Sequence, residues 1–113
     1  MKLSYAVHQI AEKLDTVTCD EKKEKSVWST IIEQIRKSNS FNDKYVNCVE
    51  KEIRSFIKTL TDQEKFKLYN ETEAGMADPA ESSTAVISSI EMDLEMELLG
   101  AIADEAWECA GCK

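Results

Sequence analysis

Apolar residues in this chain recur every three or four positions, and very little interrupts them. Only three glycines and one proline are spread over 113 residues, so turn signals are scarce and long unbroken segments follow. An all-β domain of this length would need more punctuation. Leu3, Val7, Ile10, Leu14 and Val17 make one stripe of an amphipathic helix over about residues 2–17. Val27, Trp28, Ile31, Ile32 and Ile35 make the apolar face of a second helix, about 21–38, with Asp20 placed to cap it.

A third helix, about 41–60, carries Val46, Val49, Ile53, Phe56, Ile57 and Leu60 on one face. Ser40 and Asp43 are spaced as a capping box at its start, and Glu50 and Arg54 as a supporting pair one turn apart. Thr61 and Glu64 form a second capping box that opens a short helix, about 62–72, bearing Phe66, Leu68 and Tyr69, with Gly75 as a left-handed stop beyond it. Asp78-Pro79-Ala80-Glu81 is a further start signal, with a cap, a proline at the first helical position and an acid in the first turn. A helix over about 79–108 follows, weakened at Gly100, and a flexible tail covers 109–113. The chain is therefore expected to be a single all-α domain over 1–113, a compact bundle of four to five helices with a long acidic C-terminal helix.

Charge is distributed unevenly along this framework. Residues 1–73 hold 13 basic and 13 acidic side chains, whereas residues 74–113 hold nine acids against Lys113 alone, which accounts for the net −8. Within the acidic third, Glu91-Met92-Asp93-Leu94-Glu95-Met96-Glu97-Leu98 alternates acid with large apolar residue. Its period suits a strand or hairpin, but its composition suits a helix, because Glu, Met and Leu are good helix formers and no β-branched residue interrupts it. Wound at about 100° per residue, Ile87, Ile90, Leu94 and Leu98 gather on one side while Met92, Met96, Leu99 and Ala103 gather nearly opposite. Glu91 with Glu95, and Asp93 with Glu97, fill the flanks, where like charges one turn apart repel. Either both apolar seams are buried by neighbouring helices, or one packs inward and the other meets a second molecule.

A sequence pI near 4.7 opposes direct contact with nucleic acid, which needs clustered Lys and Arg. It suits a protein partner with a basic surface. No apolar run reaches the roughly 18 residues of a membrane span, and no apolar stretch near the N-terminus resembles an export signal. A cytoplasmic protein with reduced thiols is the expectation.

Catalytic signatures are missing. Cys109-Ala110-Gly111-Cys112 is a CxxC, but Asp104, Glu105 and Glu108 beside it and the negative end of a helix before it would raise the thiol pKa. His8 is the sole histidine and borders the first stripe. The three glycines form no phosphate loop, and neither HExxH nor GxSxG occurs. A non-enzymatic interaction protein is the reading, with no cofactor. Its partner contacts are expected at Glu91, Met92, Asp93, Glu95, Met96 and Glu97, with Asp104 and Glu105 as steering charges. In size, charge and lack of catalytic chemistry the chain resembles small acidic phage-encoded inhibitors of nucleic-acid-binding defence complexes, anti-CRISPR proteins among them. Two alternatives stand beside this. One is a homodimeric structural protein paired through the same seam. The other is a zinc-stabilised regulator in which Cys109 and Cys112 join Cys19 and Cys48, or His8 in place of Cys48.

Overall fold

A computed structural model describes residues 2–19, 24–41, 43–72 and 83–111. Its elements are α1 (Leu3–Thr16), α2 (Val27–Ser38), a short 3-10 turn (Asp43–Tyr45), α3 (Val46–Lys58), α4 (Asp62–Glu71) and α5 (Thr84–Cys109). No strand occurs among the described residues. The all-α bundle expected from periodicity is the fold observed, and residues 90–98 are helical throughout.

Each stripe turns inward. Val7, Ile10 and Leu14 of α1, Val27, Ile31 and Ile35 of α2, and Val49, Ile53 and Ile57 of α3 are buried, joined by Phe66 and Leu68 of α4. Trp28 and Trp107 are half-buried and lie against this core. The molecule measures 46 × 31 × 20 Å. At about 39 Å, a helix the length of α5 exceeds the two shorter dimensions and must lie along the long one. It packs against all four other helices.

Helix ends differ from expectation where a serine competes as cap. Ser26 is extended and accepts from the Ser29 N–H at 3.2 Å, so α2 opens at Val27 rather than near residue 21. Ser83 is likewise extended and accepts from the Val86 N–H at 3.2 Å. This places the start of α5 at Thr84 rather than 79, and Asp78-Pro79-Ala80-Glu81, like Asp20 and Gly75, lies outside the described residues. The Ser40–Asp43 box does not open α3. The Ser40 hydroxyl pairs with that of Ser38 at 3.0 Å, and a 3-10 turn precedes Val46. By contrast, the Thr61–Glu64 box is complete, with Thr61 N–H donating to Glu64 Oε1 at 3.0 Å and Glu64 N–H to Thr61 Oγ1 at 3.2 Å. The Thr61 N–H, then the Thr61 hydroxyl, hold the Glu64 carboxyl below its ordinary range.

Two cysteines expected to be free thiols are joined. Cys19, just past α1, forms a disulfide with Cys48, the third residue of α3. The connector between α1 and α2 is also held by the Val27 N–H, which donates to the Val17 carbonyl at 2.8 Å. Within the expected tail of 109–113, α5 runs to Cys109 and Gly111 sits in a turn with φ of 76°, while residues 112–113 lie outside the described residues.

Gly100 does not break α5. A Cβ built there meets nothing within 4 Å, so Gly100→Ala is expected to raise unfolding free energy by roughly 0.5–1 kcal/mol in denaturant titration. Leu98→Ala, on the sealed side, should lower it by roughly 2–5 kcal/mol.

Candidate protein-docking face

The buried residues of α5 are Ile90, Leu94, Leu98, Ile102 and Ala106, each four positions after the last. An α-helix turns about 40° past a full revolution in four residues, so this row winds by about 160° over its length. The first half of α5 therefore faces α3 and α4. Glu95 Oε1 takes the Arg54 Nη2 of α3 at 2.8 Å, Glu91 lies 3.7 Å from Lys65 Nζ of α4, and Asp93 accepts from the Tyr69 hydroxyl at 3.3 Å. The second half faces α1 and α2. Arg36 Nη2 and Nε point to the Cys109 and Ala110 carbonyls, each at 3.4 Å, a favourable place for a cation at a helix C-terminus.

A second row with the same spacing winds along the opposite side. Ser88, Met92, Met96, Gly100, Asp104 and Glu108 are all exposed, Met92 to 69% and Met96 to 74%. Apart from Tyr5, whose hydroxyl suits it to water, these methionines are the only large apolar side chains exposed among the described residues. The row is apolar and small in its first half and acidic in its second. Leu99 and Ala103, assigned to the same seam by sequence, are only half exposed.

Shallow grooves flank both halves. One runs between α3 and α5 beside Met92, with Ile57 in its floor and Arg54 and Lys58 on its bank. The other runs between α1 and α5, over Val7, Ala11 and Ala101, with Asp104, Glu105 and Glu108 on one side and His8 on the other. His8 is itself exposed and sits 3.0 Å from Glu12.

The expected contact residues thus fall into two groups. Glu91 and Glu95 are turned toward cations of the same molecule and Asp93 toward Tyr69, with Glu97 half-buried near the same phenol. Burial first, then Asp93 and Glu97, raise the Tyr69 phenol pKa above its ordinary value. Met92, Met96 and Asp104 stand on the outer side, Glu105 beside them accepts from the Cys109 thiol, and no described cation pairs with Asp104, Glu105 or Glu108. Ser88, Gly100 and Glu108 belong to the same row but were not expected in it. Their shared spacing of four with Met92 and Met96 is the signal that places them there.

No family model, no curated protein and no solved structure matches this chain.

The zinc grouping is rearranged. Cys19 and Cys48 bond to each other, Cys112 lies outside the described residues, and no three metal-ligating side chains converge among the described residues. Cys109 is exposed, with its thiol 3.9 Å from Glu105 Oε1. Partial burial, then the Glu105 and Glu108 carboxylates, push this thiol above its ordinary pKa. Because the thiolate is the reactive form, Cys109 in a Cys112→Ser variant should alkylate more slowly at pH 7 than a free cysteine. Its rate should climb with pH later than usual, and Glu105→Gln or Glu108→Gln should raise the neutral-pH rate severalfold.

Proposed function

We propose that this protein is a non-enzymatic binding module that lays the outer row of α5 on a basic surface of a partner protein and so blocks or recruits it. Met92 and Met96, exposed to 69% and 74% on an otherwise sealed core, carry the reading. Methionine is flexible and polarisable, and it fits irregular partner surfaces while tolerating water when unbound. The acids beyond it, Asp104, Glu105 and Glu108, supply the negative potential that draws and orients a basic partner. Proteins that bind nucleic acid present such surfaces, so a nucleic-acid-binding complex is the partner class that fits, with the protein acting as its inhibitor in the cytoplasm. The acids nearest the methionines serve the fold first, which moves the steering charge to the end of α5.

One observation favours a second reading. The series Ser88, Met92, Met96, Gly100 runs small, large, large, small in either direction, so an antiparallel second copy would set Met92 against Met96 about a two-fold axis. Salt separates the two readings. Binding to a basic partner weakens as salt screens attraction, whereas self-association of chains carrying −8 each strengthens as salt screens repulsion.

Photo-crosslinking from position 92 or 96 in living cells, with position 5 as control, tests the proposal. A basic protein should be captured from α5 and not from Tyr5. Replacing both methionines with serine should weaken its measured affinity about tenfold or more, as loss of ~1.4 kcal/mol or more would. Reversing Asp104 and Glu105 to lysine should slow association most at low salt. Equal capture from position 5, or affinity indifferent to both variants, would remove the reading.

A further inference from the structure

We propose that Cys19 and Cys48 form a reversible thiol–disulfide exchange site for low-molecular-weight disulfides such as glutathione disulfide, with Cys19 as entry sulfur and Cys48 as resolving sulfur. The two residues are 29 positions apart in sequence, and the packing of α1 on α3 brings their Cα atoms to 6.2 Å. That separation lies inside the range a disulfide spans without backbone movement, about 4.4–6.8 Å. The placement does not depend on the covalent bond alone. The hydrogen bond from Val27 N–H to the Val17 carbonyl holds the connector two residues before Cys19, so the reduced thiols remain close neighbours.

Exposure assigns the roles. Cys19 lies exposed in a connector, whereas Cys48 is half-buried in α3 and packs against the core. A small disulfide reaches the first more readily than the second. In the forward direction the Cys19 thiolate attacks one sulfur of glutathione disulfide, breaking its S–S bond and releasing one glutathione. The Cys48 thiolate then attacks the Cys19 sulfur of the mixed disulfide and expels the second glutathione. Two protein thiols are oxidised, one small disulfide is reduced to two thiols, and the two thiol protons pass to the departing glutathiones. Closing the bond ties the end of α1 to the first turn of α3. In a reducing cytoplasm the site stands open, and it closes when the thiol pool is oxidised. Cys109 is exposed as well, but partial burial, then the Glu105 and Glu108 carboxylates, push its thiol above its ordinary pKa.

The test uses the full-length chain with Cys109→Ser and Cys112→Ser, equilibrated in glutathione buffers of graded ratio, acid-quenched, alkylated and weighed intact. Alkylation should pass reversibly from two sites to none as the buffer becomes oxidising, with a melting temperature roughly 10 °C higher in the closed form. Adding Cys48→Ser should trap glutathione on Cys19, whereas adding Cys19→Ser should leave Cys48 largely free of it. Two alkylated thiols at every ratio would overturn the site, and so would a melting temperature indifferent to the buffer. Glutathione on Cys48 in preference to Cys19 would overturn the assignment of roles. A peptide map of the unsubstituted chain linking Cys19 or Cys48 to Cys109 or Cys112 would do the same for the pairing.

Discussion

The strict four-residue spacing of Ile90, Leu94, Leu98, Ile102 and Ala106 constrains the rest of this structure. A helix packing along one straight seam alternates spacings of three and four, which keeps the seam pointed one way. A row of fours winds instead, and a winding row cannot be satisfied by a single neighbour. It is satisfied here because α3 and α4 meet the first half of α5 while α1 and α2 meet the second. The same winding carries the opposite row outward along the whole helix. Burial on one side and exposure on the other are consequences of one register, so shifting α5 by a residue would bury acids and expose the core.

Electrostatics divides α5 at the same midpoint. Glu91 with Glu95, and Asp93 with Glu97, are like charges one turn apart, each pair costing a few tenths of a kcal/mol in an isolated helix. Arg54 and Lys65 offset the first pair, and Arg54 is fixed in turn by Glu50 at 3.2 Å. The Glu95 carboxylate holds the Arg54 guanidinium even more firmly charged than usual. At the other end Arg36 is directed to main-chain carbonyls, leaving the carboxylates of Asp104, Glu105 and Glu108 without a described cation. Solvent-exposed ion pairs contribute little to stability. The effect of this arrangement is on where negative potential remains, which is at the far end of the row that begins with the methionines.

Much of the fold was legible in the spacing of apolar residues, because each helix buries a stripe whose members are close in sequence. The stripes of α1, α2 and α3, the Thr61–Glu64 box and the Glu50–Arg54 pair are local features, and all are present. Helix starts were less legible, because Ser26 and Ser83 compete as caps with residues upstream, and the choice depends on where the chain must turn to reach its neighbour. On α5 the two seams were legible, but the role of its acids was not. Nothing local to Glu95 announces Arg54 of α3, 41 positions away. The Cys19–Cys48 bond was hidden for the same reason, since an expectation of reduced thiols rests on compartment, whereas their meeting rests on how α1 packs against α3.

A molecule only 20 Å thick is about two helix diameters deep, and in so thin a body a helix that touches every other element still has a side facing out. Polar residues would normally occupy it. Here Ser88, Gly100, Asp104 and Glu108 conform to that rule, and Met92 and Met96 do not. Their exposure costs solubility that the net charge of −8 restores by mutual repulsion between copies. That repulsion also acts on any second copy approaching through the same row until salt screens it, whereas a surface of opposite sign is attracted. Apolar knobs whose approach is governed by surrounding acids discriminate among partners by charge before contact and by shape after it. A neutral apolar patch of the same size would attract indiscriminately, so the placement of acids beyond the methionines supports the proposed docking on a basic partner over general stickiness.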